Sequence, residues 1–126
     1  MNSGSTPVDL STVTVRYWYT EDSTQPQAWV CDFAQLGCAN LTAVFVTLPA
    51  ARTNADTALQ VGFRAGVTLA PGATTGPIQD RFNRVDWTSY NQANDYSFNA
   101  GATSLADSTR VTVYVNGVLA WGTEPA

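Results

Sequence analysis

Short stretches of alternating apolar and polar residues recur along the chain. Val13, Val15, Tyr17 and Tyr19 alternate with Thr14, Arg16 and Trp18; Val44, Val46 and Leu48 alternate with Phe45 and Thr47. Leu59, Val61 and Phe63 alternate in the same way with Gln60, Gly62 and Arg64. A period of two puts each set on its own face of an extended strand. In the stretch from Ile78 to Asn83, the apolar pair Ile78 and Phe82 turns its set, with Asp80, inward, so Gln79 and Arg81 are expected to point outward. Val111 to Val115 and Val118 to Trp121 flank Asn116-Gly117, the strongest short-range hairpin signal. Ala70-Pro71-Gly72 and Asn99-Ala100-Gly101 mark turns between strands, and no stretch carries a helical stripe of useful length. The pattern predicts one domain over residues 1–126, an all-β sandwich of two packed antiparallel sheets.

Composition narrows the function classes. Apolar residues make up 44% and charged residues 13%, as expected of a folded domain. A net charge of −4 leaves no basic stripe for a phosphate backbone, so nucleic acid is excluded as a partner. No apolar run has the length of a membrane span, and no apolar leader segment follows Met1, so a secretion signal is expected outside these residues. Histidine is absent, which removes the Ser-His-acid and Cys-His arrangements and the commonest zinc ligand. Carboxylate chemistry alone remains, without a motif for it, and the reading is a protein that is not an enzyme. Cys31 and Cys38 suit a disulfide closing a small loop in an oxidising compartment; two buried thiols are the alternative.

Two constellations carry chemistry. Thr20 and Asp22 follow the first clear strand, while Asn91, Asn94 and Asp95 sit together far downstream. Carboxylate, amide, hydroxyl and backbone oxygens are what calcium takes, although polar turn residues making Asx-turns have the same composition. The second set is Gln79 and Arg81, with Asp86-Trp87 in the loop beyond them and Asp32-Phe33 beside Cys31. Asp32 and Phe33 are neighbours in sequence, so they share a surface only on an irregular segment. A ring lying flat on a surface is a stacking platform for the apolar face of a pyranose; as core residues, Phe33 and Trp87 would serve packing alone.

The segments Asp9–Thr20, Asn54–Asp56, Arg81–Trp87, Asn91–Phe98 and Val115–Pro125 resemble the family 3 carbohydrate-binding modules of bacterial cellulases and scaffoldins. The resemblance implies a jelly-roll β-sandwich with one structural calcium, held by Thr20, Asp22, Asn91, Asn94 and Asp95. It also implies a planar cellulose-binding strip of Asp32, Phe33, Arg81 and Trp87, flanked by Gln79, with Asp32 and Arg81 paired. Phe33 stands where members usually carry His or Tyr. Arg16, Trp18 and Tyr96 correspond to a shallow groove on the opposite face. The implied function is secreted, non-catalytic binding of crystalline cellulose or a related β-1,4-glucan, on behalf of attached catalytic or scaffold domains. A member that docks to a catalytic domain without binding crystalline cellulose is the alternative. Asn2–Asp9 matches the turn after the family's second strand, so the first strand or two are expected to be missing, and self-association is one way to cover the exposed core edge.

Overall fold

A computed structural model describes residues 1–104 and 106–126. Nine strands form among them: β1 (Val8–Asp9), β2 (Val13–Tyr19), β3 (Gln27–Ala34), β4 (Leu41–Arg52), β5 (Ala55–Phe63), β6 (Thr68–Leu69), β7 (Ile78–Arg84), β8 (Val111–Val115) and β9 (Val118–Trp121). Every pairing is antiparallel. One sheet has the order β4-β5-β2-β8-β9, the other contains β3 and β7, and β1 pairs with β6 in a short ribbon. The fold is the all-β sandwich that the alternation predicts.

β2 lies at the centre of the large sheet because its sequence suits burial on both faces. Val15, Tyr17 and Tyr19 face the small sheet. There Tyr19 and Phe82 of β7 approach to 4.8 Å between ring centroids, with Tyr17, Phe45 and Tyr90 packed around Phe82 at 5.4 to 6.1 Å. Offset and edge-on rings at these separations bind through their quadrupoles as well as through buried area. A second apolar cluster of Leu10, Ala34, Leu41 and Phe63 seats β3 against the β4–β5 side. Beside it, Cys31 and Cys38 form a disulfide. Closing so short a loop is worth about 2.5 kcal/mol in the chain-entropy description.

Opposite Tyr17 and Tyr19, β2 turns Arg16 and Trp18 toward the outer face. Trp18 is nevertheless wholly buried there, beneath the guanidinium groups of Arg16 and Arg52 at 5.4 and 5.5 Å, with its indole N–H donated to Thr112 Oγ1 at 2.8 Å. The segment 92–98 closes over it, since Ser97 exchanges hydrogen bonds with the Trp18 backbone and Tyr96 packs against the same cluster. A groove on this face therefore cannot use Trp18 as a contact, contrary to the expectation drawn from the resemblance. The β8–β9 hairpin turns at Asn116 and Gly117, both with positive φ (51° and 77°), the geometry this dipeptide favours.

Candidate functional site

The outward face of β3–β7 is built by a single irregularity. Cys31 pairs with Asp80 and Phe33 pairs with Gln79, which leaves Asp32 as an extra residue on β3. This is a β-bulge. Without it, Phe33 would follow Asp32 to the opposite face; with it, both point outward beside Gln79 and Arg81. The disulfide at Cys31 fixes the chain on one side of the bulge, and buried Ala34 fixes it on the other.

Arg81 Nε lies 3.1 Å from both carboxylate oxygens of Asp32, the pair that the resemblance implies. Both side chains are about half exposed, so the contact adds about 0.5 kcal/mol or less to stability. Its effect is geometric: it holds the planar guanidinium against a fixed partner, and a guanidinium held flat stacks much as a ring does. Phe33 is 47% exposed. Val30 pairs with Arg81 across the two strands and is exposed on the same face.

Trp87 is 72% exposed, an unusual fate for the largest apolar side chain. It sits in the turn after β7 with φ of +62°, a left-handed conformation uncommon outside glycine, asparagine and aspartate. Its amide donates to Arg84 O at 2.9 Å, and Asp86 Oδ1 accepts from the Thr88 amide and hydroxyl at 3.1 and 2.7 Å. Those two donors hold the Asp86 carboxyl below the usual carboxylate range. Beneath the turn, Arg84 is 5% exposed. Its guanidinium reaches Ser89 O at 2.6 Å, donates to Glu21 O and lies 4.4 Å from the Tyr90 ring centroid. One buried cation thereby ties the turn carrying Trp87 to the segment after β2. Asp86, which the sequence marks together with Trp87, is a positioning residue, and so is Arg84, which the sequence reading passed over. Arg84 stands three residues from both Arg81 and Trp87 and has no signal of its own without the fold.

At the far end of β2, four of the five oxygen-bearing residues, Thr20, Asp22, Asn94 and Asp95, are joined by hydrogen bonds. The Thr20 hydroxyl donates to Asn94 O at 2.7 Å, the Thr20 amide donates to Asp95 Oδ1 at 2.9 Å, and Asn94 Nδ2 donates to Asp22 Oδ1 at 2.7 Å. Asn91 caps the short turn Gln92–Asn94, accepting from the Ala93 amide, so its side-chain oxygen is already in use. Asn94 Oδ1 is buried with no hydrogen-bond partner. Burial, with added repulsion from Asp22 and Asp56, pushes the Asp95 carboxyl above the usual range. Among the described residues no group of three or more His, Cys, Asp or Glu converges. The donors are two carboxylates with neutral amide, hydroxyl and backbone oxygens, and one of those oxygens is unspent. That set suits a hard, oxygen-seeking cation.

The comparisons follow the same lines. The family described as "Cellulose binding domain" matches residues 1–122. Beta-mannanase/endoglucanase A of Caldicellulosiruptor saccharolyticus is 48% identical over 127 residues, covering 100% of this chain and 10% of that enzyme. Solved structures agree with the fold. A biomass-sensing module from RsgI-like proteins of Clostridium thermocellum, described as resembling a family 3 module, superposes with a TM-score of 0.92 at 41% identity, over 99% of this chain and 83% of that one. The family 3a module of the CipA scaffolding of the same organism gives 0.84 at 41% identity, over 97% and 84%. The chain spans only 10% to 14% of the length of the first three curated relatives it matches. With the family match running nearly end to end over this sandwich, the chain belongs to the family 3 carbohydrate-binding modules, which are non-catalytic domains.

Proposed function

We propose that this domain binds crystalline cellulose without turnover, through the outward strip of Asp32, Phe33, Arg81 and Trp87 with Gln79 at its flank. The observation that carries the reading is the solvent-held indole of Trp87, presented on a strained turn beyond a strand pair whose bulge turns Phe33 and Asp32 the same way. Several weak stacking contacts on one extended ligand add, which is how a strip with no pocket acquires useful affinity. The disulfide supports work in an oxidising, extracellular setting. The relatives' names support attachment to a catalytic or scaffolding protein.

The direct test is depletion of the protein from solution by microcrystalline cellulose, with bound fraction measured against added solid. The protein is expected to partition onto the solid with a dissociation constant of about 1 μM, the range a few stacked rings supply. If it stays in solution, the reading fails and docking to a catalytic domain takes its place.

The oxygen cluster extends the reading. Thr20, Asp22, Asn94 and Asp95 would hold a structural calcium ion, with Asn91 contributing through the turn it caps. The ion would take up the spare Asn94 oxygen and offset the crowding of charge at Asp95. A ligand at one hundred times its dissociation constant stabilises the native state by about 2.7 kcal/mol. For a chain of this size that is a shift on the order of 10 °C. Scanning calorimetry with calcium and then with a chelator should show a drop of that order; superimposable melting curves would rule the ion out.

A further inference from the structure

Two inward anchors on β3 have the wrong spacing for a regular strand. Ala34 is buried in the cluster of Leu10, Leu41 and Phe63, and Cys31 packs against the same cluster, where its sulfur is bonded to that of Cys38. Residues three apart on a regular strand face opposite ways. Both anchors can face inward only because the ladder holds one extra residue between them, at Asp32. Each outward residue of the bulge therefore has its own inward neighbour: Phe33 is set by Ala34, and Asp32 by Cys31. Trp29 also packs against the cluster, so apolar packing alone confines the extra residue to the stretch between Trp29 and Ala34. Placed before Cys31, that residue would turn Cys31 outward and Asp32 inward, away from Arg81. The bond to Cys38, which packs on the inner side, forbids this placement.

We propose that the Cys31–Cys38 disulfide is a positioning element of the cellulose strip: it keeps Asp32 on the outer face, where the carboxylate holds the Arg81 guanidinium. The inference rests on the reading of that face as the cellulose site. Three observations set this role apart from one in folding. The loop closed by the bond is fastened without it: the Gly37 amide donates to Ala34 O at 2.9 Å, the Gln35 amide donates to Pro77 O at 3.1 Å, and Leu36 packs against the core cluster. Asp32 is the one residue of β3 without a ladder partner, so backbone pairing does not orient it. Among the described residues, the side-chain hydrogen bonds of Arg81 go to Asp32 alone, so its orientation follows that carboxylate. Trp87 is held separately, by the hydrogen bonds of Arg84 to Ser89 O and Glu21 O. The strip thus has two independent supports, a covalent bond under Asp32 and a buried cation under Trp87.

The test is a double-mutant cycle on partition between solution and microcrystalline cellulose, measured well below the melting transition. Cys31→Ala/Cys38→Ala is expected to lower the partition coefficient about fivefold, the effect of having to immobilise one long side chain on binding. Asp32→Ala is expected to lower it equally, and all three changes together to give a single loss of that size. In a Trp87→Ala background the cysteine changes are expected to keep their full effect. Parent protein reduced by a dithiol supplies the same comparison without substitution. The reagent passes two electrons and two protons to the bond, leaving two thiols per chain and its own cyclic disulfide, and the same loss is expected. Losses that multiply with Asp32→Ala would overturn the inference and assign the bond to stability alone. Unchanged partition of both the substituted and the reduced protein would overturn it too. A parent that stays in solution would instead remove the cellulose reading, and this inference with it.

Discussion

Replacing Trp87 with alanine is expected to reduce binding to microcrystalline cellulose by about 60-fold, the largest loss from any single change in the strip. Stacking one face of the indole on a sugar surface removes about 100 Å² of ring area from water, worth roughly 2.5 kcal/mol or nearly two decades of affinity. The same change should leave the melting temperature within about 1 °C, because the side chain is mostly in solvent and contributes little to the core. Alanine does not relieve the left-handed backbone, so the turn keeps its strain and its shape. Depletion isotherms for both proteins, with melting curves alongside, separate ligand contact from folding. Equal isotherms would move the site elsewhere.

Arg84→Met is expected to lower stability by about 3 kcal/mol and the melting temperature by on the order of 10 °C. The methionine keeps much of the volume and loses the donors. The carbonyls of Ser89 and Glu21 are then left without the guanidinium, and the face of Tyr90 loses its cation. Among the described residues the charge has no acidic partner in a salt bridge, so the loss comes from unmet carbonyls rather than from a broken ion pair. Arg84 also tethers the turn that presents Trp87. Cellulose affinity measured well below the melting transition should therefore fall severalfold in folded protein. A variant that melts early yet binds as tightly as the parent would confine Arg84 to stability.

How far the sequence could be read depended on local regularity. β2, β4, β5, β7 and the β8–β9 hairpin announce themselves because β-branched, aromatic and polar residues alternate along them at a period of two, or because Asn116-Gly117 fixes the turn. β3 does not. Ala28 and Val30 are apolar on its outward side, so the contrast between faces vanishes, and the bulge then shifts the phase at Asp32. Asp80 falls in phase with Ile78 and Phe82, but it ends exposed, where it accepts a hydrogen bond from the Trp29 indole. Trp18 has the phase of a surface residue and becomes core only because residues distant in sequence fold over it. The oxygen cluster shows the same limit: Thr20 and Asn94 meet across 74 positions, a distance no local pattern spans.

The bulge on β3 also bears on how such a strip can change through descent. Asp32 and Phe33 are consecutive, and the ladder has room for one of them as a regular residue opposite Gln79. Loss of the Asp32 codon would close the ladder with the ring still facing out and Arg81 released from its partner. Loss of the Phe33 codon would close it with the carboxylate outward and the ring gone. In either case Ala34 stays opposite Ile78 and the core face is undisturbed. An in-frame deletion, normally among the most damaging events in a strand, could here remove one chemical function from the surface and spare the other.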